Sequence, residues 1–230
     1  MIPIFITSCF GNLIIIFIQY IASLLPLFLF LRHAQARNNV ERILAGRTLG
    51  YPLTDLGITQ AEKISDFLKP LNISYIYSSP IERAEQTSKI VSKNLGLDYV
   101  IDERLTEIDM GSFSGMPYEE MFSKHGNVFL KFYEGSPVIE KNGIESFTSV
   151  KKRVLDMIDH CSRKYNSENI LLVTHMDPIK SMVSTVLHSR PESLYELIIR
   201  NASLTILKKE QSNLSLVAIN SMSSDRYPQE

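Results

Sequence analysis

The chain has 230 residues, of which 44% are hydrophobic, and this suits one well-packed domain but is short for two. Lysine and arginine (24) nearly balance aspartate and glutamate (25) without any block of like charge, so nucleic acid is not an expected partner and an anion site has to be local. The two cysteines, Cys9 and Cys161, form neither a CxxC pair nor a zinc pattern, which disfavours a disulfide framework and fits a reducing cytoplasm.

Residues 1–24 form an apolar extension. No charged residue occurs from Ile2 to Leu31, and the run is long enough to span a membrane. It lacks the basic start and the small-residue cleavage site of a secretory signal. Because only Leu25 and Pro26 separate it from the first predicted strand, a span would leave almost no chain between bilayer and sheet. We therefore favour a start assigned too far upstream, with a membrane anchor as the alternative.

The first elements are predicted between residues 27 and 96. The apolar run Leu27–Leu31 predicts a buried strand. The segment TQAEKISDFLKPL places five apolar side chains on one stripe of a helix, whose continuation Pro70 disfavours. ISYIYSS is typical of a second strand. SPIERAEQTSKIVSKNLG predicts a helix with Ser79 at the N-cap, Pro80 at N1 and Gly96 just past its end.

The remaining elements complete an alternating pattern. Residues 105–145, rich in Gly, Phe, Tyr and Met, are predicted to form a lid. A helix follows from about Ser146 to Tyr165, and ENILLVTH predicts a strand buried on both faces. ASLTIL and LSLVAIN predict two late strands, as a hairpin or a sheet edge. This alternation predicts a three-layer α/β/α fold around a mostly parallel central sheet.

Cationic side chains follow several of the predicted strands. Arg32 and His33 come directly after the first strand, Arg83 lies in the first turn after the second, and His175 follows ENILLVT. In open α/β sheets, ligands bind beyond the carboxyl ends of the strands. The helix that starts beside His175 is expected to direct free backbone N–H groups into the same space. The pattern therefore predicts an anion pocket.

Five blocks of the sequence resemble the motifs of the histidine phosphatase superfamily, the branch of cofactor-dependent phosphoglycerate mutases and small phosphatases. LRHAQARNN resembles the RHG signature, and LTDLGITQA the LTxxGxxQA block. SSPIERAEQT resembles SSxxxRAxQT, LTEIDMGSFSG resembles LxExxxGxxxG, and VTHMDPIK resembles the second-histidine block. The resemblance runs from about Leu25 to the last strand. It implies a phosphoglycerate mutase-like fold and a histidine phosphatase domain over residues 25–230.

The resemblance also implies the roles of individual residues. His33 would be the nucleophile and Glu107 the general acid. Phosphate would be bound by four residues: Arg32, Asn39, Arg83 and His175. Gln35 and Arg47 are expected at the substrate rim, where Arg42 would extend the anion site.

This chemistry needs no metal and no cofactor. A neutral imidazole can attack phosphorus, and water can resolve the phosphoramidate that forms. Two guanidiniums and a second imidazolium can spread the charge of the transferred group. Glu107 has to be protonated to release an alcohol, so we expect the pocket to raise its pKa, with Arg104 opposing the rise.

Each of these residues also has an ordinary structural interpretation. Arg83 alone would be assigned to a helix surface and Glu107 to a loop, and only their joint placement in matched blocks favours a site. His33 and His175 could together ligate a metal, but no third ligand lies at zinc-like spacing. The remaining histidines, His125, His160 and His188, are predicted on the surface.

The sequence departs from the family pattern at several positions. Ala34 replaces the usual glycine after the histidine, so the backbone there has to suit a residue with a Cβ atom. Met110 and Tyr118 stand where the mutases usually carry a tyrosine and a lysine, and no Arg-Arg pair follows. We therefore favour a phosphomonoester hydrolase acting on a small phosphorylated metabolite. A phosphoglycerate mutase-type phosphomutase and a noncatalytic phosphate-binding protein are the alternatives.

Overall fold

The computed structural model describes residues 26–165, 167–211 and 213–222. The apolar extension of residues 1–24, and with it the predicted start of the domain, lies outside these residues. Within the three described ranges, no helix combines the length and the apolar character that crossing a membrane requires.

One sheet runs through the described residues. Its strands are β1 (Leu27–Arg32), β2 (Ile73–Ser78), β3 (Tyr99–Ile101), β4 (Asn169–Thr174), β5 (Leu204–Glu210) and β6 (Asn213–Ser221). Their order across the sheet is β3-β2-β4-β1-β5-β6. The first four are mutually parallel, whereas β5 and β6 attach as an antiparallel hairpin. The mostly parallel sheet and the late hairpin at its edge are thereby confirmed.

Helices connect the strands and continue beyond them. They are α1 (Arg37–Val40), α2 (Asp55–Leu68), α3 (Glu82–Leu95), α4 (Tyr118–His125), α5 (Val128–Glu134), α6 (Pro137–Lys141), α7 (Phe147–Lys164), α8 (Met176–Leu187) and α9 (Pro191–Glu196). The six apolar residues predicted on the inner face of α7 are all buried.

Both faces of the sheet are covered, which gives the predicted three layers. Along β1, Leu27, Leu29 and Leu31 pack against α2 and α3, while Phe28 and Phe30 point to the other face and pack against α7 and α8. Alternation along a strand sends successive side chains to opposite faces, so a strand covered on both sides has to be apolar throughout. Burial on both faces therefore explains why the sequence LFLFL is apolar without interruption.

The start of α3 differs from its prediction. The helix begins at Glu82, with the extended residue Ile81 as its N-cap, so the assignment of Ser79 to the N-cap and Pro80 to N1 is wrong. Ser79 accepts a hydrogen bond from the Ile81 N–H within the preceding turn, and its hydroxyl also bonds His175. The end of α3 follows the prediction, because Gly96 adopts the left-handed conformation there. The three-residue strand β3 was not predicted.

Residues 105–145, the predicted lid, hold helices α4 to α6 and one short turn of 3-10 helix at Gly111–Phe113. The segment is not a loosely attached flap. Phe113, Met121, Phe129 and Phe132 are buried in the same apolar cluster as Phe28 and Phe30 of the sheet. The segment thus forms one wall of the core, and its action as a lid stays a prediction.

Candidate active site

A cavity of about 420 Å³, counted to its open mouth, lies where β1, β2 and β4 end. Arg32 and His33 reach it from β1 and Arg83 from the start of α3. Tyr118 and Phe129, from the segment 105–145, line the opposite wall. The strand ends therefore converge as the sequence predicted, because parallel strands end on the same edge of the sheet.

His33 is buried and held as one tautomer. Its Nδ1 lies 2.8 Å from the carbonyl oxygen of Ala34, while its Nε2 lies 3.2 Å from the Nε of Arg83. A carbonyl can only accept and a guanidinium can only donate, so Nδ1 carries the proton and Nε2 keeps its lone pair. Burial, followed by the charges of Arg83 and Arg32, lowers the pKa of His33 well below its ordinary value. The imidazole is therefore neutral at physiological pH.

Ala34 fits the backbone beside this imidazole. It is fully buried and does not belong to the residues with a positive φ angle, so its Cβ atom meets no left-handed strain. Its N–H donates to Thr87 Oγ1 at 3.1 Å, and Thr87 lies on α3. The absence of a glycine here thus leaves the position of His33 intact.

Arg83 lies between His33 and a glycine loop. It is 2% exposed, and its Nη2 donates to the carbonyl of Gly46 at 2.8 Å. Gly46 has φ +49°, and a Cβ atom there would lie 3.0 Å from Met110 Cγ and 3.1 Å from the Ile108 carbonyl. Burial lowers the pKa of Arg83 to about 10, with Glu107 opposing the shift, so its guanidinium stays charged at pH 7.

His175 is fully buried next to His33, with the two ring centres 5.1 Å apart. Its Nε2 bonds the hydroxyl of Ser79 at 2.8 Å, and its Nδ1 has no partner among the described residues. Burial, then the charge of Arg83, lowers the pKa of His175 well below its ordinary value. The role expected of His175, an imidazolium that spreads the charge of a transferred phosphoryl group, stays a prediction. A phosphate dianion would favour protonation, because opposite charge raises the pKa of an imidazole.

Glu107 lines the cavity and is 9% exposed. Its Oε1 accepts from the N–H of Ile108 at 3.0 Å and of Asp177 at 3.3 Å, and its Oε2 from the N–H of Met176 at 3.2 Å. The free N–H groups expected at the start of α8 are thus directed at this carboxyl.

The pKa of Glu107 rises to about 7, as expected of a general acid. Burial is the main cause and the nearby Asp177 carboxylate adds to it, while Arg83 opposes the rise. Arg104, expected to oppose it, pairs instead with Asp102 at 2.6 Å. The raised pKa favours the protonated carboxyl over a wider pH range than an exposed glutamate would allow.

Asp177 belongs to a buried cluster that the sequence did not indicate. The hydroxyl of Tyr133 donates to Asp177 Oδ1 at 2.6 Å, and Lys180 Nζ lies 5.1 Å from the centre of the Tyr133 ring. All three side chains are less than a tenth exposed. Asp177 and Lys180 are i and i+3 on α8, but Tyr133 comes from a helix far away in sequence, so no local pattern could reveal the cluster.

The two asparagines after β1 both line the cavity. Asn39 Oδ1 accepts from the Ala36 N–H at 2.9 Å and from Asn201 Nδ2 at 3.3 Å, which leaves its own amide nitrogen to donate. Asn38 Oδ1 is buried without a partner in the described part of the chain. Asn201 also donates to the His33 carbonyl at 3.0 Å, a support that no motif marked.

The residues expected at the rim have other contacts. Gln35 accepts from the Thr54 hydroxyl at 2.8 Å. Arg47 donates to the Glu107 carbonyl at 3.0 Å and pairs with Glu145 at 2.8 Å. Arg42 is exposed and pairs with Glu119. None of the three is among the residues that line the cavity, and their contact with substrate stays a prediction.

The arrangement offers an uncharged nucleophilic nitrogen, fixed cations and a protonated carboxyl around one small space. It can accept a phosphate group and deliver a proton to a leaving group. Over the ranges that the structure describes, no three His, Cys, Asp or Glu side chains are grouped so that they could hold a metal ion.

Comparison with known proteins shows the family of this chain. The sequence model of the histidine phosphatase superfamily (branch 1) matches residues 28–222. A 2,3-bisphosphoglycerate-dependent phosphoglycerate mutase of Thermoplasma acidophilum is 34% identical, over 86% of this chain and 95% of its own length. A putative phosphoserine phosphatase 2 of Hydrogenobacter thermophilus is 32% identical, over 85% of this chain and 95% of its own.

A solved structure shows the same fold. A mutant phosphoserine phosphatase of Entamoeba histolytica, in complex with phosphoserine, superposes with a TM-score of 0.73 and is 25% identical. The match covers 86% of this chain and 98% of that one. The predicted phosphoglycerate mutase-like fold is thereby confirmed.

Proposed function

This chain belongs to branch 1 of the histidine phosphatase superfamily, and from that premise we propose that it hydrolyses small phosphomonoesters through a phosphohistidine at His33. The observation that carries the proposal is the single tautomer of His33, whose Nε2 lone pair faces the buried guanidinium of Arg83. A neutral imidazole with a fixed lone pair is the form that attacks phosphorus.

The reaction has two steps. In the first, His33 Nε2 forms a bond to phosphorus, the P–O bond to the alcohol breaks, and Glu107 gives its proton to the departing oxygen. In the second, water attacks the phosphohistidine, Glu107 takes a proton from that water, and the P–N bond breaks to release phosphate. The phosphoryl oxygens are bound in both steps by Arg32, Arg83 and Asn39. These hydrogen-bond donors are already in position and stabilise the negative charge of each transition state.

The substrate is proposed to be a small phosphorylated metabolite. Met110, Tyr118 and Phe129 give one wall of the cavity an apolar character, which suits an ester with an apolar or ring-bearing leaving group. One solved relative contains phosphoserine, so phosphoserine is the first natural ester to test. The action is proposed to take place in the cytoplasm.

Hydrolysis of p-nitrophenyl phosphate by the purified chain, with and without EDTA, tests the proposal directly. We expect EDTA-resistant turnover that His33→Ala abolishes and that the exposed-histidine control His125→Ala retains. Intact mass after alkaline quenching should show one added phosphoryl group in the wild type alone. Turnover that survives in His33→Ala would refute the nucleophile, and a folded wild type without turnover would favour a phosphate-binding protein.

A phosphomutase is the second candidate, because the chain is 34% identical to a phosphoglycerate mutase. Its sequence lacks the tyrosine and lysine that the mutases usually carry, with Met110 and Tyr118 in their places. Incubation with 3-phosphoglycerate separates the two activities. Release of inorganic phosphate supports the hydrolase, whereas formation of 2-phosphoglycerate that depends on added 2,3-bisphosphoglycerate supports the mutase.

A further inference from the structure

The backbone that carries Glu107 has no regular secondary structure after its short turn at Glu103–Leu105, and side chains satisfy its carbonyl groups. The Leu105 carbonyl accepts from Thr174 Oγ1 at 2.6 Å, at the end of β4. The carbonyls of Arg104, Thr106 and Glu107 all accept from Arg153, on α7. Buried carbonyls need such partners, because an unpaired one would cost free energy.

Arg153 uses its whole hydrogen-bonding capacity for this segment. Its Nη1 donates to Arg104 and Thr106 at 2.8 and 2.6 Å, and its Nη2 to Glu107 at 3.2 Å. Its Nε and Nη2 also form a fork on the Glu145 carboxylate at 2.8 and 3.0 Å. A guanidinium has five N–H donors, so five acceptors saturate it.

Glu145 holds Arg153 in place from the side opposite the segment 104–107, and we call Arg153 and Glu145 the clamp. Its backbone N–H donates to the Asp109 carbonyl at 2.9 Å, and its carboxylate also binds Arg47 at 2.8 Å. The Glu145 side chain is 14% exposed and that of Arg153 is 15% exposed, so water competes weakly for the pair. The guanidiniums of Arg47 and Arg153 thus both reach the Glu107 carbonyl and both bind Glu145.

We propose that Arg153, locked in place by Glu145, is a positioning residue that fixes the backbone of residues 104–107 so that the Glu107 carboxyl stays directed into the cavity. The inference rests on the proposed function, since it gives Glu107 the role of general acid. Arg153 itself does not line the cavity. A displacement of Glu107 would impair the step that needs its proton and leave the attack by His33 intact.

The choice of leaving group isolates that step. p-Nitrophenolate leaves as a stable anion, whereas the alkoxide of a simple alkyl ester needs a proton as it leaves. Glu107→Gln therefore serves as the reference variant, with a large loss of kcat/KM on β-glycerophosphate and a small loss on p-nitrophenyl phosphate. The ratio kcat/KM reports the phosphorylation of His33 and excludes the later attack of water, in which Glu107 also acts. Lys152→Ala, at the neighbouring exposed position of α7, serves as the control that should change neither rate.

Arg153→Lys and Glu145→Gln are the test variants, because both preserve most of the packing. We expect each to lower kcat/KM on β-glycerophosphate by about tenfold or more, and kcat/KM on p-nitrophenyl phosphate by less than about threefold. On β-glycerophosphate, the double variant Arg153→Lys/Glu107→Gln should have the same kcat/KM as Glu107→Gln alone, within about twofold. Once the acid has been removed, displacing its backbone has no further effect on the rate. Equal losses on both esters, or losses that multiply in the double variant, would overturn the inference.

The same assay separates this inference from the function on which it rests. If the wild type hydrolyses neither ester, or if Glu107→Gln shows no difference between leaving groups, the proposed function and this inference fall together. If Glu107→Gln shows the difference and the two clamp variants do not, the inference alone fails. Should Arg153→Lys melt below the assay temperature, Glu145→Gln and its double variant with Glu107→Gln are judged by the same criteria.

Discussion

His33, the proposed nucleophile, and Glu107, the proposed general acid, face the same cavity, but the chain holds them by different means. His33 follows β1 directly, and its support comes from backbone groups and from α3. Glu107 lies in a segment without strand or helix, held by Arg153, Arg47 and Thr174 from distant parts of the sequence. The end of a strand thus places His33 at the cavity, and side chains then fix its ring, whereas the whole backbone around Glu107 depends on side chains from distant elements.

The largest expected effect lies on the nucleophile side. Arg83→Ala removes both the donor to His33 and a charge that binds the phosphoryl group, so kcat should fall by about 10²- to 10³-fold. Because neither role involves the leaving group, the loss should be equal for β-glycerophosphate and p-nitrophenyl phosphate. Steady-state rates for both esters check this, with the exposed Arg163→Ala as the matched control. A loss confined to the alkyl ester would show that Arg83 also affects the departure of the leaving group, and its role would then overlap with that of Glu107.

A smaller effect on the rate is expected from removing the Asp177 carboxylate, whose charge helps to raise the pKa of Glu107. Asp177→Asn removes a neighbouring negative charge, so the pKa of Glu107 should fall from its value of about 7. The alkaline limb of the pH–rate profile for β-glycerophosphate, where Glu107 loses its proton, should therefore move to lower pH in the variant. The ratio of the rates of Asp177→Asn and wild type on β-glycerophosphate, measured from pH 5 to 9, cancels the titration of the phosphate itself, because both proteins act on the same ester.

The exposed-carboxylate control for this experiment is Asp66→Asn, which should leave the profile unchanged. An alkaline limb that stays in place in Asp177→Asn, or moves upward, would contradict the electrostatic coupling of the two carboxyls.

The smallest effect concerns stability and not rate. Because the folded-state pKa of Glu107 is raised from 4.5 to about 7, the folded chain binds its proton more tightly than the unfolded chain does. That contribution is complete below pH 4.5 and is lost as the pH rises through 7. The free energy of unfolding should therefore fall between pH 5 and pH 8 as the folded chain loses the proton of Glu107.

Urea unfolding of the wild type and of Glu107→Gln at both pH values measures this difference. The variant should lose less stability than the wild type over the interval, since its amide does not titrate. If the free energy of unfolding depended on pH equally in the two proteins, the proton of Glu107 would contribute nothing to stability, and the raised pKa of Glu107 would be contradicted.

The sequence was informative where function and secondary structure coincide. Arg32, His33 and His175 follow apolar strands that a continuous hydrophobic run reveals, so their convergence could be predicted from strand order alone. Arg83 was placed correctly although the start of its helix was wrong, because either start directs the first turn to the same edge of the sheet. Gly96 ended α3 as expected because its left-handed conformation is a purely local preference.

Long-range polar contacts explain the failures. Ser79 resembles a helix cap by local rules, but its hydroxyl bonds His175, nearly a hundred residues away. Arg104 is close to Glu107 in sequence, yet its guanidinium pairs with Asp102. The contact between Tyr133 and Asp177 likewise joins two helices that no local pattern connects. Such pairings depend on tertiary geometry, which periodicity and spacing do not encode.

The hydrogen bond from Arg83 to the Nε2 of His33 has a consequence for selectivity. While the pocket is empty, a donor occupies the lone pair, so a stray electrophile such as an alkylating agent or an acyl donor meets a masked nitrogen. Under the proposed mechanism, the oxygens of a phosphoryl group would compete for the guanidinium and draw it away from Nε2. The anionic charge of the substrate would then itself expose the reactive nitrogen.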